Sequence, residues 1–118
     1  MSTIVLVIAD LMFQPRVAEQ ARALGYDVTL ADTTSAALEA LAAPAALVVF
    51  DLHADGVDWR RAVEAARAQG TPVLAFGRHT EAALLREARE AGCDRVVPRS
   101  TLVAELPRLI EELATRRA

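Results

Sequence analysis

Lysine is absent from the 118 residues, and every one of the 13 basic side chains is arginine. Wherever this chain needs a cation, a guanidinium must supply it. Cysteine occurs once, as Cys93, which excludes an internal disulfide and a cysteine-based metal cluster and suits a reducing, cytoplasmic setting. Aromatic residues are only 4% of the total. No apolar run is long enough to cross a membrane, and Met1-Ser2-Thr3 lacks the basic flank and cleavage site of a secretory signal. A formal charge of −3 argues against nucleic acid as a partner, because binding phosphates normally needs a basic face. No glycine-rich phosphate loop, nucleophile–base pair or catalytic carboxylate dyad is visible, so an enzyme of independent function is not expected.

What is present is a chain able to fold. Apolar residues make up 53% of it, enough for one buried core, and the expectation is a single domain over 1–118 without a separate output domain. Strand-length apolar runs alternate with helical periodicity five times. The strand candidates are Thr3–Ala9, Asp27–Ala31, Ala46–Asp51, Pro72–Phe76 and Arg95–Val97. The first, third and fourth are nearly unbroken aliphatic runs, as in central parallel strands covered on both faces, whereas the second starts polar and reads as an edge.

Between them, apolar residues recur at three- and four-residue spacing. Phe13, Val17, Ala21 and Leu24 define the first helix, with Pro15 in its first turn and Gly25 after its end. Ala37, Leu38 and Leu41 mark the second, and Trp59, Ala62, Val63 and Ala66 the third. Leu84, Leu85, Ala88 and Ala91 mark the fourth. Leu102, Leu106, Leu109, Ile110 and Leu113 mark the fifth, which Pro107 should kink or delay.

Alternation of this kind predicts an α/β fold with right-handed crossovers and a doubly wound, five-stranded parallel sheet. In such sheets function gathers where strand carboxyl ends meet loops. Those ends carry Ala9-Asp10, Asp51, Gly77-Arg78-His79 and Pro98-Arg99-Ser100. Over essentially its whole length the chain thus resembles the response-regulator receiver domains of two-component signal transduction, as a degenerate member. The resemblance implies a flavodoxin-like fold with strand order 2-1-3-4-5. It also implies an acidic pair after strand one, a phospho-accepting aspartate after strand three, a hydroxyl after strand four, and a lysine–proline pair after strand five.

Position by position, Asp51 matches the phospho-acceptor and Asp10 the second acid of the pair, while Ala9 replaces the first. Gly77 stands where the hydroxyl belongs, Pro98 where the lysine belongs and Arg99 where the proline belongs. Phosphoryl transfer to a carboxylate needs a divalent cation, and hard cations want several oxygen ligands. Asp10 and Asp51 alone would hold Mg²⁺ weakly if at all, so no cofactor is expected. Each acid also has a plainer reading: Asp51 could cap a loop, and Asp10 could cap the first helix.

Arg78, His79, Arg99 and Ser100 fall at the same sheet edge. Three readings stay open: a salt bridge from Arg99 or Arg78 to Asp51 or Asp10, an external anion or nucleotide site, or solvated loop arginines with Ser100 as a helix N-cap. Leu11-Met12-Phe13 is unusually apolar for this loop; Phe13 fits the core, while Leu11 and Met12 would plug the pocket or face a partner. Asp51-Leu52-His53-Ala54-Asp55-Gly56 matches the D-x-H-x-x-G string of cobalamin-binding domains, but it does not follow the first strand and lacks their other motifs. A metal site at His53 and His79 is a second decoy, since two histidines on different loops are more often solvent-facing or hydrogen-bonded locally.

The resulting expectation is a stand-alone, cytoplasmic, receiver-like signalling module that works by protein–protein contact, without phosphorylation. The partner could be another protein or a second copy of the chain, and Leu102 and Val103 are the expected exposed contacts on the last helix. The rivals are a phospho-accepting single-domain regulator in a phosphorelay and a small-anion or nucleotide-binding module.

Overall fold

A computed structural model describes residues 2–114; Met1 and residues 115–118, part of the expected 1–118 span, lie outside the described residues. Its elements run β1 (Thr3–Val7), α1 (Gln14–Ala23), β2 (Asp27–Leu30), α2 (Thr34–Ala40), β3 (Leu47–Asp51), α3 (Trp59–Ala68), β4 (Val73–Gly77), α4 (Ala82–Glu90), β5 (Arg95–Pro98) and α5 (Arg99–Ala114). All five strands pair in parallel, in the order β2-β1-β3-β4-β5. The polar strand β2 is indeed at an edge, and the aliphatic runs β1, β3 and β4 are central. Among the described residues no helix is long and apolar enough to cross a membrane.

Alternate side chains of each strand point to opposite faces. Ile4, Leu6, Leu47, Val49, Leu74 and Phe76 face one layer, where Val17 and Ala21 of α1 meet Leu106, Leu109, Ile110 and Leu113 of α5. Val5, Val7, Val48, Phe50, Val73 and Ala75 face the other, against Ala37, Ala62, Val63, Ala66, Leu85 and Ala88 of α2, α3 and α4. Two dry layers explain the unbroken aliphatic runs, since the central strands have no wet face.

Two sequence expectations are corrected here. Leu102 is not an exposed contact: it is fully buried in the α1–α5 layer, on the same stripe as Leu106 one turn later. Ser100 is not an N-cap: β5 runs straight into α5 at Pro98–Arg99, so Ser100 already lies inside the helix and is exposed. Pro107 has its expected effect, and α5 breaks regular geometry at Glu105 (φ −123°, ψ 15°), two residues before the ring.

The register fixes what meets at the carboxyl edge. Asp51 is opposite Phe76, and Gly77 is opposite Pro98. Pro98 has no N–H to donate, which an edge strand tolerates. The loop after β1 delivers Asp10 to the same edge.

Candidate functional site

Asp10 is the most heavily engaged acid at this edge. Its Oδ1 accepts the N–H groups of Met12 (2.8 Å) and Phe13 (3.1 Å), and its main-chain carbonyl accepts that of Gln14 (2.9 Å). These bonds turn the chain from β1 into α1. Its Oδ2 accepts from Arg99 Nη2 at 3.0 Å. The Arg99 guanidinium bond, then the two amides, hold the Asp10 carboxyl below its ordinary value. Asp10 is thus both the helix-entry turn and one half of an ion pair.

Arg99 is placed by two further contacts. Its guanidinium carbon lies 4.2 Å from the centre of the Phe13 ring, a cation–π stack. Phe13 is itself held edge-on against Phe76, with ring centres 5.5 Å apart. So the first residue of α5 is tied to the β1–α1 turn across the sheet edge, by charge on one side and an aromatic face on the other.

Asp51 ends β3 and is only 8% exposed. Its Oδ1 accepts the His53 N–H at 2.9 Å, a tight turn closed by the carboxylate itself. The His53 ring then folds over the end of β4. Its Nε2 accepts the main-chain N–H of Arg78 at 3.1 Å, which assigns the proton of a neutral ring to Nδ1. A Cβ added at Gly77 would stand 3.3 Å from this Nε2 and 3.2 Å from Leu85 Cδ2. The space a side chain at 77 would use is therefore already taken by an imidazole. Glu81 Oε2 lies 3.8 Å from the same ring nitrogen, and Arg78 Nη1 is 3.7 Å from Glu81 Oε1.

Together Ala9, Asp10, Asp51, His53, Asp55, Phe76, Gly77, Arg78 and Arg99 line a cavity of about 300 Å³ at the sheet edge.

No protein-family model matches the sequence, and no curated protein resembles it in sequence. Solved structures do resemble it in shape. The receiver domain of a sensor histidine kinase from Pseudomonas aeruginosa, with magnesium in its active-site cleft, superposes with a TM-score of 0.81. The two are 23% identical over 97% of this chain and 98% of that one. A CheY-like response-regulator receiver domain protein from Methanospirillum hungatei has a TM-score of 0.79 at 15% identity, over 100% and 99% of the two chains. A response regulator from Burkholderia pseudomallei, bearing a phosphorylated aspartate, calcium and citrate, has a TM-score of 0.75 at 18% identity, over 100% and 74%. The fold is that of a response-regulator receiver domain.

Within a receiver fold a divalent cation would sit at this edge, and the donors present do not fit one. Both oxygens of Asp10 and one oxygen of Asp51 already accept hydrogen bonds, and Ala9 offers no side-chain donor. No group of three acids, histidines or cysteines could close around a metal among the described residues. A hard cation needs several oxygens at once.

The sequence-derived candidates therefore separate. Arg99 and Asp10 are in contact. Among the described residues Arg78 pairs with neither acid; its Nη1 lies 3.7 Å from Glu81 Oε1 instead. His79 and Ser100 are exposed and do not line the cavity. Leu11 and Met12 do not plug it either: at 81% and 82% exposure they stand in solvent. Val103 is exposed, whereas Leu102 is buried. His53, read from sequence as a cobalamin or metal decoy, is the residue whose role was missed, because nothing in the local sequence says that its ring crosses to β4. The signal available was Gly77: a missing side chain beside a buried strand end must be filled by something.

Proposed function

We propose that the chain is a signalling module of receiver fold that acts by binding protein partners and does not depend on phosphorylation of Asp51. The ion pair of Arg99 with Asp10 carries this reading. It supplies one positive charge where a receiver would use a cation, and it does so from within the chain. The His53 ring against Gly77 supports the same reading, since the β4–α4 loop is held by a residue adjoining Asp51 rather than by a hydroxyl responding to phosphate. A ligand shifts a conformational equilibrium only if it binds the two states differently, and here the groups that would discriminate are replaced. We place the module in the cytoplasm, with no cofactor, and with Mg²⁺ bound weakly or not at all at Asp10 and Asp51. Of the two contacts expected on α5, only Val103 remains available.

The second reading, a phospho-accepting regulator in a phosphorelay, is favoured by one observation: Asp51 ends β3 and opens on the cavity, and the Burkholderia pseudomallei regulator carries a phosphorylated aspartate in a similar fold. An anion or nucleotide site has less support, because Arg78 and Arg99 each already face a carboxylate. The test is beryllofluoride with Mg²⁺ on uniformly ¹⁵N-labelled protein. Amide shifts confined to noise support phosphate independence. Saturable shifts spreading from Asp51 into α4 and α5 would overturn it.

A further inference from the structure

We propose that the cavity is a socket for a basic side chain of a partner protein, an arginine or lysine flanked by apolar residues, which pairs with Asp51 and Asp55 while its neighbours cover Leu11 and Met12. This rests on the reading above, that the module works by protein contact, and it adds the chemistry of the partner.

The charges around the cavity leave a deficit of one sign. Arg99 holds Asp10 and Arg78 holds Glu81, so the two arginines are committed. Asp51 and Asp55 are left. Asp55 is exposed on the β3–α3 loop and makes no ion pair or hydrogen bond among the described residues. Asp51 is more than nine-tenths buried, and among the described residues only its Oδ1 has a partner. Every fully buried side-chain oxygen among the described residues is hydrogen-bonded, so the partnerless Oδ2 must open on the cavity that Asp51 lines. A carboxylate oxygen that no protein group engages and that opens on the cavity is available to a cation that brings its own hydrogen-bond donors.

Three classes of occupant can be compared. An anion meets two uncompensated carboxylates. A hard divalent cation finds too few free oxygens, as argued above. A guanidinium or ammonium needs only two carboxylates and brings its own donors. The chain has no lysine, and its cavity arginines are engaged, so such a group has to come from elsewhere. Leu11 and Met12 decide between a free small cation and a protein. They follow Asp10 directly and are the most exposed large apolar residues described. A small ion would leave them wet, whereas apolar residues on either side of a partner's basic side chain would cover them.

The test titrates the ¹⁵N-labelled chain with the peptide acetyl-Gly-Leu-Arg-Leu-Gly-amide, and with versions carrying lysine or norleucine in the centre, or glycine at both leucines. The arginine and lysine peptides should shift the amides of Leu11, Met12, His53, Asp55 and Gly77. The norleucine peptide should bind at least about tenfold more weakly, as expected for loss of a charge-assisted pair. Asp51→Asn with Asp55→Asn should abolish the preference for arginine over norleucine, and Asp55→Asn alone should reduce it if the double variant does not fold. Leu11→Ser with Met12→Ser should weaken all leucine-containing peptides several-fold and leave the glycine version unaffected. Equal binding of arginine and norleucine peptides, or shifts elsewhere on the molecule, or none, would overturn the socket. The beryllofluoride experiment above reads phosphate independence separately, so either proposal can fail without the other.

Discussion

Replacing Leu102 with alanine should destabilise the fold by about 2–5 kcal/mol, the cost of removing a fully enclosed leucine and leaving a partly collapsed cavity. Leu102 has no exposed surface and packs in the layer that joins α1, the sheet and α5, so its neighbours cannot close in without moving a helix. For a chain of this size the melting temperature should fall by roughly 8–20 °C, at about 4 °C per kcal/mol. Val103, adjacent in sequence but 44% exposed, should lose less than about 0.5 kcal/mol on the same truncation. Urea unfolding of the two variants, followed by circular dichroism with a common slope, measures both on one scale. If Leu102→Ala costs no more than Val103→Ala, the first turn of α5 is not packed as described. Leu102→Glu would place an unpaired carboxylate in this layer and abolish folding. Val103→Glu is the informative surface variant for association, because it keeps the core.

Three other outcomes follow from the carboxyl edge and from Cys93. Arg99→Ala should raise Mg²⁺ affinity several-fold by freeing Asp10 Oδ2, read by calorimetry or Trp59 fluorescence; unchanged affinity would mean the pair does not compete with a metal. Asp10 has a lowered folded-state pKa, so its contribution to stability is complete above ordinary carboxylate values of about 4 and is lost as pH falls through the lowered value. Melting curves of the native chain and Asp10→Asn should accordingly converge at acid pH and separate near neutrality, and a gap that does not narrow as the pH is lowered would refute this. Burial raises the Cys93 thiol from 9.0 to about 11. At pH 8 that leaves about 100-fold less thiolate, so alkylation by iodoacetamide should be slower by about that factor than for a model thiol.

The fold was legible because each signal was redundant. Val48-Val49-Phe50 cannot be amphipathic in either period, and a run apolar on both faces has to be a covered strand. Strand ends were less legible: Ile8 and Ala9 continue the apolar run, yet β1 stops at Val7, since the chain must turn where the Asp10 carboxylate gathers the amides of Met12 and Phe13. Leu102 shows a signal that was present and overruled. It stands four residues before Leu106, on the stripe with Leu109, Ile110 and Leu113, so helical spacing alone assigns it to the core. The expectation of an exposed contact set that spacing aside, and periodicity is the better guide. At the site, Arg99 was readable because a lost cation and a gained arginine fall at one edge. Arg78 was not, because no spacing rule tells a loop arginine whether to turn inward or, as here, toward Glu81 three residues on.

The same edge is also tied together across its strands. In a working switch, the group that senses phosphate and the loop that moves are separate, so that one can act on the other. Here they are joined: Asp51 holds the His53 amide, and the His53 ring holds the Arg78 amide, linking β3 to the β4–α4 loop by two hydrogen bonds with no phosphate between them. On the opposite side, Arg99 links α5 to the β1–α1 turn through Asp10 and Phe13. Both sides of the cavity are thus tied together within the chain. The second oxygen of Asp51 is left without a protein donor among the described residues and opens on the cavity between these two links. Because the His53 amide already orients the Asp51 carboxylate, a donor that reaches its free oxygen would have little side-chain ordering cost left to meet.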